Sequence, residues 1–550
     1  MIHLPFFRRQ VLLALGAGLL LTPAALSAQK RPAAHPVSSR STKAKAAAKP
    51  GIPTPLVIPN PVLAGDFPDP SVTKVGDTYW ATATTSNWGP VFPLLKSKNL
   101  TDWQLVGHVF PDARPAWADY YFWAPEISQD GGKVYVYYTA HKKGGNLCVG
   151  VASADQPEGP YRDHGPLVGQ PDGSIDGFPM RDESGKPYLI WKEDGNSVQQ
   201  PTPIWAQELN AARTALVGAK KELLRNTAAW EGNLVEGPSI VRHGGYFYLF
   251  YAANGCCGHG CAYATGVARA KRLLGPWEKY AQNPILTKND TWTCPGHGTA
   301  IERQGRWFML HHAYQTTSFE NVGRQGVLSE FVWTKAGWPE FLNQHSVPAP
   351  PMPAARLAAL AVRDEFDENS LPPVWQWPVE DKPTFTLSGG QLRLQAQPER
   401  GGAALGRPTV AAAYTASTTL LSPAALPAGT SAGLAALGDP GNTLALTVEG
   451  GKVGLIQTKA GKPQTLAEMP LADATATSVQ LRYQVQGGNE YRFAWSADGH
   501  VWHALPADGQ AVKGDFLPPW DRGVRAGVVA RGPATATAVF ERFTVNNDAK

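Results

Sequence analysis

An all-β chain is predicted, a five-bladed β-propeller followed by an antiparallel β-sandwich, and three observations predict it. Short aromatic-rich strand signals recur at a near-constant interval: YWAT at Tyr79, YVYY at Tyr135, YLIW at Tyr188, YLFY at Tyr248 and FMLH at Phe308, spaced 56, 53, 60 and 60 residues apart. A period of about 50–60 residues built from strand pairs is the sequence trace of propeller blades. A second element repeats with it: VGVASADQPEGPY from Val149 matches TGVARAKRLLGPW from Thr265, with Gly150 and Gly266 116 residues apart. From residue 363 onward the pattern changes to period-2 alternation, as in FTLSGGQLRLQA and LALTVEGGKVGLIQT, separated by Gly- and Asp-rich turns. That alternation reads as a two-layer antiparallel sandwich.

Residues 1–28 read as an export signal: Arg8 and Arg9 precede the apolar run Val11–Leu21 and small residues up to Ala28. The RRQVLL arrangement also resembles a twin-arginine signal. Eleven apolar residues are short for a bilayer crossing, and no later stretch suggests a membrane span. Residues 29–59, rich in Ala, Pro, Lys and Ser, are expected to be a disordered linker. The propeller is assigned to 60–345, a Pro- and Ala-rich linker to 346–362, and the sandwich to 363–550.

Composition agrees: 56 Gly and 48 Pro suit many short strands joined by turns. The net charge of +5 is deceptive. Residues 1–50 hold eight of the 50 Lys and Arg and none of the 45 acids, so the rest has 42 basic and 45 acidic groups. The folded body has no basic excess to attract nucleic acid. Eighteen Trp serve mainly blade packing, and some are expected to stack on sugar rings.

About ten residues before each aromatic strand stands a polar group among small, turn-prone residues: Asp69, Glu126, Asp176, Glu236 and His297. The first strand of every propeller blade lines the central axis, so this repeated position becomes a ring. Asp69, Asp176 and Glu236 approach the axis from blades one, three and four. Three carboxylates crowded into one partly desolvated pocket have their pKa values driven apart, which lets an acid and a base coexist. Glu126 is read as structural.

The segments GDFPDPSV, YYFWAPEI, SIDGFPM, NLVEGPSI, CPGHGT and VGRQGVL resemble glycoside hydrolase family 43 across the whole propeller. The resemblance implies an inverting hydrolase with Asp69 as general base, Glu236 as general acid, and Asp176 orienting Glu236 and raising its pKa. It also implies that Arg324 bonds the sugar and the acid, and that Trp123 walls the sugar pocket, with Trp88 and Phe178 as further walls. His297 occupies the position of an axial calcium or sodium ion held through water, or of a tunnel histidine without metal. The C-terminal region resembles the concanavalin-like sandwich appended to such propellers, where a calcium ion implicates Asp364; it is expected to wall the pocket or to bind polysaccharide. No cofactor is expected in the chemistry, and any calcium is structural.

The implied partners are plant cell-wall oligo- and polysaccharides, cleaved as an α-L-arabinofuranosidase or a β-D-xylosidase, with an endo-arabinanase or a non-catalytic carbohydrate-binding propeller as alternatives. An invertase-like retaining enzyme is disfavoured by the absence of its Asn-Asp-Pro-Asn opening. The five cysteines, Cys148, Cys256, Cys257, Cys261 and Cys294, are read as disulfides in an exported protein. Cross-linking of the CCGHGC cluster to Cys294 would brace the loops beside the pocket. Zinc held by thiolates and His259 is the alternative.

Overall fold

The computed structural model describes residues 54–343, 352–399, 401–471 and 476–548; the predicted export signal and most of the predicted linker lie outside them. Five four-stranded antiparallel sheets follow one another along the chain, each in the order of its sequence. Their inner strands are Ser71–Val75, Trp123–Asp130, Ser174–Arg181, Val235–His243 and Trp292–Arg303, numbered here as blades one to five. The aromatic runs supply the second strands, Thr78–Thr82, Lys133–His141, Pro187–Glu193, Tyr246–Ala253 and Arg306–Gln315, and they are buried because each blade packs its faces against its neighbours.

The internal repeat is a packing equivalence. In blade two, a Cβ on Gly150 would lie 2.8 Å from Trp117 and 3.0 Å from Tyr138. In blade four, a Cβ on Gly266 would lie 2.6 Å from Trp230 and 3.0 Å from Tyr251. Only a residue without a side chain admits these Trp–Tyr pairs, whose centroids stand 6.0 and 5.8 Å apart. The matched GPY and GPW turns both carry cis peptides, at Gly159–Pro160 and Gly275–Pro276.

The ring is closed by the segment that precedes the first blade. Leu63 and Gly326 exchange backbone hydrogen bonds of 3.1 and 3.0 Å, and the Asn60 amide donates to the Leu328 carbonyl at 3.0 Å. Ile58 is buried in the propeller core, so the end of the expected linker belongs to the propeller. The expected 346–362 linker contains the helix Ala354–Ala359, tied down by Arg356, which donates to the carbonyls of Pro59 and Val62.

The C-terminal domain is a sandwich of nine- and six-stranded sheets. The larger is centred on Thr537–Asn547 and Tyr414–Leu421, and the smaller on Ser431–Asp439 and Asn442–Glu449. Their inner faces share one core that includes Trp375, Leu405, Leu446, Leu481, Trp495 and Phe540, as the alternation predicts. Both ends of the domain pair within it, Val362 opposite Val545.

The two domains are stitched together. Trp88–Gly89 of blade one pairs with Trp377–Pro378 of the sandwich. Asp66 of the propeller forms a buried ion pair with Arg525 at 2.7 Å and accepts the Gly523 N–H at 3.0 Å. Among the described residues, no helix is long and apolar enough to cross a membrane.

Candidate active site

The chemically loaded residues stand where the inner strands are broken. Pairing between the first two strands shifts register at Trp123/Glu126, Ile175/Phe178, Glu236/Ser239 and Thr293/Gly296, in blades two to five. A bulge of this kind re-aims side chains beside a site. The left-handed conformation it uses appears at Ala124 (φ 44°), Asp176 (φ 61°), Gly237 (φ 58°) and His297 (φ 43°), and in blade one at Asp69 (φ 48°), just before its inner strand.

These bulges bring Asp69, Asp176, Glu236, His297, Arg324 and Trp123 to one cavity of about 310 Å³. Asp69 is the most heavily bonded. Arg324 Nη1 donates to its Oδ1 at 2.8 Å, Thr84 Oγ1 donates to Oδ2 at 2.7 Å, and its own N–H donates to His312 Nδ1 at 3.1 Å. His297 Nδ1 stands 3.6 Å from Oδ1. Burial alone would raise this carboxyl, but Arg324, His297 and His312 overcome it and hold Asp69 far below the usual carboxylate range. It is an anion ready to accept a proton.

Asp176 and Glu236 share the other side. Glu236 Oε2 accepts from Lys192 Nζ at 2.7 Å and Oε1 accepts from the Tyr263 hydroxyl at 2.8 Å. Lys192 is buried and also donates to Asp194 Oδ1 at 2.8 Å. Asp176 Oδ2 accepts the N–H of Gly237 at 2.9 Å, so it fixes the backbone beside Glu236. Burial and the neighbouring Glu236 charge push Asp176 up to about 6. Glu236 moves the other way: against its burial, Lys192 and Tyr263 hold it below its ordinary value. This corrects the expectation that Asp176 raises Glu236. The two shifts are opposite because the ammonium of Lys192 lies against Glu236.

Arg324 also departs from expectation. It bonds Asp69 and, through Nη2 at 3.0 Å, the backbone oxygen of Asp521; its carboxylate partner is Asp69, not Glu236. Two predicted walls do not line the cavity. Trp88 is buried beneath the sandwich, packed with Ala404, Ala435, Leu437 and Val529. Phe178, beyond the blade-three bulge, packs into the core between blades three and four with Tyr188, Ile190 and Leu249. Trp123 does line the cavity.

The sandwich supplies part of the site. Trp520 and Asp521 line the same cavity; Asp521 Oδ2 accepts from Trp123 Nε1 at 3.1 Å, and Trp520 meets the Trp123 ring edge-on. Lys192, Asp194, Tyr263, His312, Trp520 and Asp521 escaped the sequence reading. The lysine left one signal, a charge inside the apolar strand YLIWKE.

No group of three or more His, Cys, Asp or Glu side chains able to hold a metal ion occurs among the described residues, so an ion at His297 would depend on water ligands. Asp364 does not fit a calcium ligand. Its oxygens accept from the Phe366 N–H at 3.0 Å and Trp375 Nε1 at 2.7 Å, with the Arg407 guanidinium 4.0 Å away, surroundings that suit an anion. Glu126 accepts from Thr299 at 3.2 Å and does not line the cavity. The cysteines form Cys256–Cys257 and Cys261–Cys294 disulfides, with Cys148 buried and free; the cross-link to Cys294 is present and the zinc alternative falls.

Residues 58–339 match the family described as glycosyl hydrolases family 43. The chain belongs to glycoside hydrolase family 43. Residues 363–546 match the beta xylosidase C-terminal concanavalin A-like domain. A putative beta-xylosidase of Escherichia coli is 28% identical over 518 residues, 83% of this chain and 92% of that protein. A xylan 1,3-beta-xylosidase of a Vibrio species is 29% identical over 351 residues, 57% of this chain and 63% of its own length. A non-reducing end alpha-L-arabinofuranosidase of Bacteroides ovatus is 27% identical over 363 residues, 61% of this chain and 64% of that protein. The chain thus spans less than two thirds of the Vibrio and Bacteroides relatives. In fold, the family 43 BlXynB protein of Bacillus licheniformis superimposes with a TM-score of 0.74 at 24% identity, covering 89% of this chain and 100% of its own.

Proposed function

We propose that this family 43 protein is an inverting, exo-acting glycosidase that removes terminal pentose, α-L-arabinofuranose or β-D-xylose, from plant cell-wall oligo- and polysaccharides. One observation carries the reading. Asp69, bonded by Arg324, and the carboxyls of Asp176 and Glu236 wall the same small cavity, and a sandwich segment, Trp520–Asp521, forms part of that wall. A volume of about 310 Å³ lies at the small end of ligand pockets, which span roughly 300–1,000 Å³. That suits the end of a sugar chain, the terminal sugar and its neighbour, better than a chain passing through.

In the proposed reaction Asp69 takes a proton from water as the water oxygen attacks the anomeric carbon. The bond to the leaving oxygen breaks, and Glu236 delivers a proton to that oxygen. The Arg324 guanidinium keeps Asp69 ionised until it acts. Glu236 must hold a proton at that moment, and Lys192 can release it because Asp194 already offers the ammonium a second partner at 2.8 Å. Asp176 fixes the Gly237 backbone and yields the pair's proton to Glu236 before the leaving oxygen is protonated. The chemistry as written uses side chains and water alone. Export belongs to the same reading: Arg8, Arg9 and the apolar run after them support it, and two disulfides suit an oxidising compartment.

Proton NMR of the purified protein acting on 4-nitrophenyl α-L-arabinofuranoside and β-D-xyloside tests the proposal. The first-formed pentose is expected with inverted anomeric configuration. Retention, or cleavage of oligosaccharides only at internal bonds, would overturn it.

A further inference from the structure

Cys256 and Cys257, adjacent in sequence and bonded to each other, both line the cavity that holds Asp69, Asp176 and Glu236. The reaction above gives them no task. Bracing does not explain the bond, because a cross-link between neighbours closes no loop and removes little freedom from the unfolded chain. The brace is the other disulfide, Cys261–Cys294, which spans 33 residues.

What the adjacent pair offers is a surface. Two polarizable sulfurs, with no N–H or O–H to satisfy, stand in a wall that also includes Leu147, Ile175 and Leu234. Such a surface matches the C–H face of a sugar ring. The loop that presents it is well fixed: Ala262 N–H donates to the Gly255 carbonyl at 3.0 Å and Cys261 N–H to that of Gly258 at 3.2 Å. The loop ends at Tyr263, whose hydroxyl bonds Glu236, so the sulfurs stand on the acid's side. Its other shoulder meets the sandwich, where a Cβ on Gly258 would lie 3.9 Å from Trp520.

We propose that the Cys256–Cys257 disulfide is the wall of the leaving-group subsite, where its sulfurs contact the sugar on the far side of the cleaved bond. The inference rests on Glu236 being the general acid, since the group that protonates the leaving oxygen marks the side on which the leaving sugar lies.

Two variants test it, Cys256→Ser with Cys257→Ser, and Cys256→Ala with Cys257→Ala, each keeping Cys261–Cys294; whichever folds decides the matter. Substrates are the pentose disaccharide that the unaltered enzyme cleaves and the matching pentosyl fluoride, which has no leaving sugar. KM for the disaccharide should rise about tenfold, the scale of a lost apolar contact, while kcat/KM for the fluoride falls less than about twofold. An unchanged disaccharide KM overturns the proposal, as does an equal loss on both substrates, which would mark a merely structural bond. If the unaltered protein hydrolyses neither substrate, the glycosidase reading fails and takes this inference with it.

Discussion

Lys192 Nζ lies 2.7 Å from Glu236 Oε2, and the lysine side chain is only 1% exposed. A buried ammonium is costly unless paired, and here it contacts two carboxylates, Glu236 and Asp194. Its charge opposes the protonation of Glu236. Replacing it with an apolar side chain of similar length should free Glu236 to hold its proton at higher pH. In Lys192→Met the alkaline limb of kcat/KM is therefore expected to move up by about one pH unit. A lysine that only fills space would lower activity without moving that limb. The check is a pH–rate profile on an aryl pentoside beside that of the unaltered protein.

The unaltered profile has its own predicted shape. Asp69 is held far below the usual carboxylate range, so its ionised form survives well into acid. Asp176, raised to about 6, is protonated below that pH and loses its proton above it. Activity that needs one proton on the Asp176–Glu236 pair should therefore decline as pH rises through about 6, with an apparent pKa belonging to the pair. The acidic limb should lie below the range of an ordinary aspartate. An acidic limb near 4 would contradict the Arg324–Asp69 contact as the controlling interaction.

The domain junction gives a stability prediction. Asp66 and Arg525 are 2% and 1% exposed and form an ion pair between propeller and sandwich. Removing one partner strands the other charge in a buried site, which costs about 3–5 kcal/mol. Asp66→Ala should lower stability by that amount in urea titration. It should also reduce activity, because the Gly523 N–H that Asp66 accepts lies two residues beyond Asp521 of the cavity wall. Near-normal stability would show that the domains hold together without this pair.

The sequence disclosed what repeats. The blades were legible because aromatic second strands recur at a fixed interval, and Asp69, Asp176, Glu236 and His297 were legible because each precedes one of them. Trp123 and Arg324 followed from motifs around them. Features set by distant chain remained hidden. Trp88 reads as an exposed wall until residues more than 300 positions later cover it, and Phe178 leaves the cavity because the bulge at Ile175/Phe178 turns it into blade packing. Asp521 meets Trp123 across 398 residues, a pairing no local pattern encodes. The downward shift of Glu236 was also out of reach, since it depends on Lys192 approaching from a neighbouring blade.

Gly237 ties the bulge to the chemistry. Its backbone is left-handed at φ 58°, and its N–H donates to Asp176. A Cβ placed on it would stand 2.9 Å from Cγ of His297, whose ring is close enough to Asp69 to influence it. Gly237→Ala therefore imposes two demands at once: an unfavourable backbone angle for a residue with a side chain, and displacement of an imidazole that stands 3.6 Å from Asp69. Displacements of about 1 Å around reacting groups cost on the order of a hundredfold in rate. The variant should lose about that much kcat/KM on aryl pentosides while thermal unfolding shows a far smaller defect, because the core between blades three and four does not include the residue. If the melting temperature collapses in proportion to activity, the bulge is a folding device rather than a means of aiming the acid and its partner.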